Sequence, residues 1–329
     1  MTDQEGDPMT QASSQASPMT SATTPSDADD RPLIYVNGQL VPRSQASINV
    51  FDHGLLYGDG IFEGIRIYNG RIFKLEQHMD RLWASAEALR LTIPISREEM
   101  IAVLRRCVEA NEITDGYIRL VITRGVGTLG LHPFKCPTAG VVCIADQIAL
   151  FPPELYTEGM RVVVANRPRI PVVCLDPRIK SLNYLNNILA KIEAIDHGCL
   201  EVIMLNTEGF VTEGSGDNIF IVNDGVLHTP PIDAGVLEGI TRRFVIDRLS
   251  KDLGLEVRVR NFRLPELLDA DEVFLTGSAA EIIAVTQVDQ HTDGKITSTR
   301  KITDGEGEIT GKLRACFREI VTGDNIPED

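Results

Sequence analysis

Arg178-Ile179-Lys180-Ser181-Leu182-Asn183-Tyr184-Leu185-Asn186-Asn187 sets a single lysine just ahead of an amphipathic run. Apolar residues recur at Leu182, Leu185, Ile188, Leu189 and Ile192, the spacing of one helical face, so the stretch predicts a helix with Lys180 at its mouth. Pro171 and Pro177 discourage an earlier helix start. A lysine held between extended chain and a rigid helix loses contact with water. Desolvation disfavours its ammonium form and leaves a nucleophilic amine, the requirement for condensing with an aldehyde. A solvated first-turn lysine is the commoner use of such a residue, so the rest of the chain must decide.

At 329 residues and 43% hydrophobic, the chain can bury one large core or two moderate ones. A net charge of -15, with no basic cluster interleaved with aromatics, excludes a nucleic-acid surface. No apolar run reaches the ~20 residues that would span a bilayer, so no membrane partner is expected. Cys107, Cys136, Cys143, Cys174, Cys199 and Cys316 are scattered, without CxxC spacing or a nearby histidine. They read as reduced thiols of a cytoplasmic protein, and no metal site is expected.

Residues 1–31 are rich in Ser, Thr, Ala, Gln, Asp and Pro and predict a disordered tail. Lacking arginine before Arg31 and carrying several acids, the tail has the wrong chemistry for a transit peptide. Residues 32–147 predict a small α+β domain. Asn37-Gly38 and Asn69-Gly70 each join two short apolar runs as hairpins. Leu75 to Leu89 has helical periodicity, and a second helix starts at the N-cap Ser96 with Glu98 and Glu99 in its first turn. Two strands follow, Tyr117 to Thr123 and Gly140 to Ala145. Residues 148–157, with Pro152-Pro153, read as a linker to a larger domain, 158–329. There the pattern predicts strands at Arg161 to Ala165, Glu201 to Leu205, Phe210 to Glu213, Asn218 to Val222 and Val226 to Thr229. Helices are expected from Thr241 to Leu253, which ends at Gly254, and from Gly311 to Val321. Hairpins interleaved with helices in two units make the fold class α+β.

Three further stretches carry chemistry. Glu213-Gly214-Ser215-Gly216-Asp217-Asn218 ends a strand on an acid and turns through glycines that let backbone approach a ligand. In Leu237-Glu238-Gly239-Ile240-Thr241-Arg242 a glycine precedes a helix, so the N–H groups of Ile240 and Thr241 are free to bind an anion. Leu275-Thr276-Gly277-Ser278-Ala279-Ala280-Glu281 reads as a strand end passing into another helical turn. Taken singly, each is an ordinary loop or cap. Together with Lys180 they follow the order that pyridoxal 5'-phosphate needs. The lysine takes the aldehyde, the carboxylate keeps the ring nitrogen protonated, and the helix starts take the phosphate. Lys180 is also the natural base to shuttle a Cα proton.

With these residues in view, the chain resembles a class IV, fold type IV, pyridoxal-phosphate aminotransferase, and within that class a branched-chain amino acid aminotransferase. Glu213-x-Ser215-x-x-Asn218-Ile219-Phe220, Leu227-x-Thr229 and Leu237-x-Gly239-Ile240-x-Arg242 carry the class resemblance. Tyr57-Gly58-x-Gly60-x-Phe62-Glu63-Gly64-Ile65-Arg66, Lys180 to Asn187 and Gly277 to Glu281 carry the branched-chain one. The resemblance implies a small N-terminal α+β domain and a larger pseudo-barrel domain. It implies that Lys180 holds the cofactor and is catalytic, that Glu213 faces the ring nitrogen and that Tyr184 bonds the phenolic oxygen. Arg81, Ile240, Thr241 and Ser278 would hold the phosphate. Arg119 would pair with the side-chain carboxylate of glutamate, while Tyr117 and the amides near Ser278 and Ala279 take the substrate's α-carboxylate. Tyr57, Phe62 and Tyr184 would line the pocket for a leucine, isoleucine or valine side chain. The loop 125–133 would reach the partner subunit's site in a homodimer or higher homo-oligomer. A D-amino acid aminotransferase and an aminodeoxychorismate lyase share the fold and stand as alternatives.

Overall fold

Asn37 and Gly38 both hold positive φ, 47° and 102°, as a two-residue hairpin loop demands. They join β1 (Ile34–Val36) to β2 (Gln39–Val41). After the short helix α1 (His53–Tyr57), Asn69 and Gly70 repeat the device, at 50° and 74°, between β3 (Gly60–Tyr68) and β4 (Arg71–Ile72). The helices α2 (Leu75–Ala88) and α3 (Arg97–Ala110) follow, the second begun by a full capping box between Ser96 and Glu99. With β5 (Gly116–Thr123) and β6 (Gly140–Asp146) the first sheet runs β2-β1-β6-β5-β3-β4. Residues 30–148 and 151–323 are described by the computed structural model. On β5, Ile118, Leu120 and Ile122 are fully buried against Met79, Leu82, Met100 and Leu104 of the helices. The period of two turns Tyr117 and Arg119 to the opposite face.

The second sheet begins after α4 (Leu155–Glu158) with β7 (Met160–Val164). Then come α5 (Leu185–Asp196), β8 (Glu201–Ile203), β9 (Asn218–Asn223), β10 (Val226–Thr229) and α6 (Ile240–Phe244). α6 continues through a π-helical turn, Val245–Leu249, into α7 (Ser250–Asp252). The chain closes with β11 (Val257–Val259), α8 (Leu264–Leu268), β12 (Glu272–Gly277), β13 (Glu281–Thr292), β14 (Lys295–Lys301) and α9 (Glu308–Thr322). The strand order is β11-β10-β9-β12-β13-β7-β8, with β14 on β13. Tyr68 on β3 and Phe73 just after β4 join Phe244 and Phe317 in an edge-to-face aromatic cluster, which locks the two sheets together.

Four expectations need correction. The helix after Lys180 starts only at Leu185, and Lys180 lies in extended chain tied to β3 by Phe62 N–H to Lys180 O and Leu182 N–H to Gly60 O, both 2.9 Å. That helix buries Asn187, Ala190 and Ala194, whereas Leu185, Ile188 and Ile192 are 65%, 53% and 45% exposed. Small residues allow close packing on the sheet, and the buried polar network around Arg169 draws Asn187 inward. Residues 210–213 form isolated bridges rather than a strand, because each pairs with a different segment: Val211 with Leu205, Phe210 with Arg263 and Glu213 with Asn218. After Gly277 there is no helical turn. A tight loop leads into β13, whose Ile282-Ile283-Ala284-Val285 run is buried in the sheet. β14 was not expected, although Asp293-Gly294, at φ 50° and 72°, is a hairpin signal.

The expected linker, 148–157, overlaps α4, and its residues 149–150 lie outside the described residues. Residues 1–29 of the expected tail also lie outside them. Asp30 and Arg31 are tied down, Asp30 accepting from Ser44 and Arg31 donating to Ala110 O at 3.1 Å. Among the described residues no helix is long and apolar enough to cross a membrane, and no His/Cys/Asp/Glu group could hold a metal ion.

Candidate active site

Between the two sheets lies a cleft of about 310 Å³. Lys180 enters it from the extended segment, its backbone fixed by Phe62 N–H and by Ser85 Oγ, 3.2 Å from its own N–H. Its Nζ donates to the Tyr184 hydroxyl at 3.1 Å and stands 4.5 Å from the centre of the Phe62 ring. Phe62 and Tyr184 meet edge to face at 5.0 Å, so the amine has an aromatic floor.

Glu213 lies behind the wall formed by Asn218 and Leu237. Oε1 accepts from Arg169 Nε at 3.0 Å and Nη2 at 2.8 Å. Oε2 accepts from Leu237 N–H at 2.9 Å and Asn218 Nδ2 at 3.2 Å. Burial pushes this carboxyl above its ordinary pKa, with Arg169 as the largest opposing influence. Arg169 was not anticipated from the sequence. It lies 44 residues away, and no periodicity links it to Glu213.

Arg81 is largely covered, its side chain 11% exposed, and is not a helix-surface charge. Its Nε and Nη2 reach the two oxygens of Glu63 at 2.8 and 2.7 Å, and Nη1 donates to Glu238 O at 2.9 Å. His78 Nδ1 meets Glu63 at 2.8 Å. Burial opposes ionisation of Glu63, but Arg81 and His78 hold its carboxyl far below the usual range. Burial likewise depresses His78, with Glu63 opposing. The pairing fixes a guanidinium beside the start of α6. There Gly239 is an N-cap without a side-chain bond, leaving the first N–H groups of the helix, at Ile240 and Thr241, without a side-chain cap. A Cβ on Gly239 would come within 1.9 Å of Asn218 Oδ1, and one on Gly277 within 2.0 Å of Asp217 Oδ1.

Ser278 and Ala279 line the same cleft, at the loop that joins β12 to β13 rather than at a helix start. Beside them Thr276 Oγ1 is buried without a hydrogen-bond partner in the described structure. Across the cleft, Arg119 has its guanidinium 4.7 Å from the Phe62 ring and 5.4 Å from the Tyr117 ring, with no ion pair among the described residues. Burial raises the Tyr117 hydroxyl's pKa, which keeps it a donor. A second unanticipated group closes the floor. Lys191 Nζ pairs with Glu201 at 2.8 Å, and Asp217 is pushed up to about 7 by burial and by Glu201.

Of the expected site residues, Glu213 stands behind the cleft wall and Tyr57 does not line the cleft at all. Its hydroxyl accepts from Gly130 N–H at 2.8 Å, while His53 Nε2 lies 2.9 Å from Thr128 O, so α1 holds the loop 125–133. The remaining set suits pyridoxal phosphate in kind. It offers an amine for the aldehyde, a carboxylate behind one wall, and a guanidinium, backbone N–H groups and an orphaned hydroxyl for the phosphate.

Comparison with known proteins agrees with this chemistry. Residues 60–288 match the family described as Amino-transferase class IV. A Methanocaldococcus jannaschii protein, provisionally named a branched-chain-amino-acid aminotransferase, is 48% identical over 289 residues, covering 88% of this chain and 96% of that protein. A D-alanine aminotransferase of Listeria monocytogenes is 38% identical, covering 88% and 96%. The branched-chain amino acid aminotransferase of T.th., solved with pyridoxamine 5'-phosphate, superposes with a TM-score of 0.81 at 36% identity, covering 89% and 95%. The resemblance and the α+β fold class read from the motifs are both borne out.

Proposed function

The chain belongs to the class IV aminotransferases, and from that premise we propose that it moves the α-amino group of L-leucine, L-isoleucine or L-valine to 2-oxoglutarate with pyridoxal 5'-phosphate as cofactor. One observation carries this reading: Lys180 Nζ and the uncapped start of α6 open on one cleft whose far wall presents Arg119 and Tyr117. When bound, the cofactor supplies an electron sink that acidifies the substrate's Cα proton.

Lys180 would join the cofactor and carry that proton, its Nζ steadied by Tyr184. Tyr184 would bond the ring's phenolic oxygen. Glu213 would face the ring nitrogen, its orientation set by Arg169, Asn218 and Leu237. Arg81, the Ile240 and Thr241 amides and Ser278 would take the phosphate. Tyr117 with the Ser278 and Ala279 amides would take the α-carboxylate, and Arg119 the second carboxylate of glutamate. Phe62 would press on the branched side chain. Tyr57, held with the loop 125–133 away from its own cleft, would line the partner's site in a homodimer or a multiple of one. The two sheets support a small domain, 32–147, and a larger one, 158–329. Six cysteines free of disulfides support a cytoplasmic setting.

The test is a panel of L- and D-amino donors with 2-oxoglutarate. L-Leucine, L-isoleucine and L-valine should turn over with ping-pong kinetics, and borohydride should fix the cofactor to the Lys180 peptide. Turnover of D-alanine with none of L-leucine would overturn the reading in favour of the D-specific alternative. Release of an aromatic amine from aminodeoxychorismate would favour the lyase.

A further inference from the structure

Glu281 ends the loop that carries Ser278 and Ala279, and it does so at φ 59°, in the left-handed region where glycine or asparagine is at home. Its side chain is buried and gripped from two elements. Tyr68 donates its hydroxyl to Oε1 at 2.9 Å, and Arg318 Nη1 reaches Oε1 and Oε2 at 2.8 and 3.1 Å. Arg66 Nη2 lies 3.5 Å from Oε1 and stacks its guanidinium over the Tyr68 ring at 4.9 Å. Backbone preference alone gives no reason for a glutamate at this position. The grip on its carboxylate does.

What the grip connects is specific. Arg66 and Tyr68 belong to β3 of the first sheet, Arg318 to α9, and Glu281 heads β13 of the second sheet. On the β3–β5 ladder Arg66 lies opposite Tyr117, and Gly64 opposite Arg119. The Tyr117 hydroxyl sits directly over Gly64, where a Cβ would stand 1.6 Å from it. One carboxylate thus ties the strand pair bearing Tyr117 and Arg119 to the loop bearing Ser278 and Ala279, across the cleft between the sheets.

We propose that Glu281 is a positioning residue for the substrate's α-carboxylate, keeping the Ser278–Ala279 amides in register with Tyr117. The inference deepens the proposed function and rests on it. The α-carboxylate is common to both substrates of the two half-reactions, so loss of register weakens both alike. A group that binds substrate and transition state equally shows itself in KM rather than kcat.

The experiment uses cofactor-loaded enzyme and whichever amino donor the wild type turns over. Glu281→Ala is expected to raise KM for that donor and for glutamate in parallel, by about tenfold or more, with kcat changed less than about threefold. Cofactor absorbance should be unchanged. Glu281→Gln, which keeps one oxygen, should raise KM less. Should Glu281→Ala fail to fold, Tyr68→Phe and Arg318→Met carry the same test with a smaller parallel rise. Unchanged KM values in folded variants, or a fall confined to kcat, would overturn the inference even if thermal stability dropped. Failure of the branched-chain reading is separate and appears as wild-type inactivity toward L-leucine.

Discussion

Single residues in this cleft act through how their buried charges are paired. Lys180 is an amine held against an aromatic floor and a tyrosine hydroxyl, so Lys180→Ala should lower turnover by about 10²–10⁴-fold or more in steady-state assays. Turnover close to that of the wild type would remove Lys180 from the chemistry. Asp217 behaves differently. Burial and Glu201, against the pull of Lys191, raise its carboxyl from the ordinary 3.8 to about 7. The fold therefore favours the neutral acid, and ionisation costs stability. That contribution is fully present below the unfolded pKa and is lost as pH rises through about 7. Asp217→Asn cannot ionise, so the variant should match the wild type near pH 4 and exceed it near pH 8. Denaturant midpoints measured across that range in one cofactor state check this, and parallel curves would refute it.

At the scale of elements, the start of α6 is where backbone rather than side chain does the binding, and Gly239 is what opens it. A Cβ there would meet Asn218 Oδ1 at 1.9 Å and push away the amide that bonds Glu213 and Leu237 O. Gly239→Ala should therefore weaken pyridoxal phosphate binding by about tenfold or more in a spectroscopic titration, a loss of about 1.4 kcal/mol. Unchanged affinity would show that the phosphate sits elsewhere. This helix start was legible in the sequence, as were the two Asn-Gly hairpins and the Ser96 N-cap, because each is a signal spanning a few residues. Elements set by tertiary context were not. The Leu185, Ile188 and Ile192 stripe has perfect helical spacing yet faces outward, since the sheet selects the small face with Ala190 and Ala194. Arg169 with Glu213, and Glu63 with Arg81, pair residues far apart in the chain, so no local pattern announces them.

In the whole molecule, the proposed cofactor residues all come from one chain and, apart from Glu213 behind the wall, line its own cleft, whereas Tyr57 and the loop 125–133 do not. That loop carries Leu129 and Leu131 at 71% and 79% exposure, apolar side chains that water disfavours and an interface between copies would cover. If each site is completed by its neighbour's loop, cofactor binding and turnover come apart when the copies separate. Leu131→Asp puts a charge into that contact without touching Lys180, Glu213 or the start of α6. The variant should elute as a smaller species, keep the cofactor's visible absorbance, and lose most of its turnover of branched-chain donors. Wild-type activity per site should likewise fall on dilution as the assembly dissociates. A dissociated variant with full turnover would show that one chain suffices, and Tyr57 and its loop would then have no part in the site.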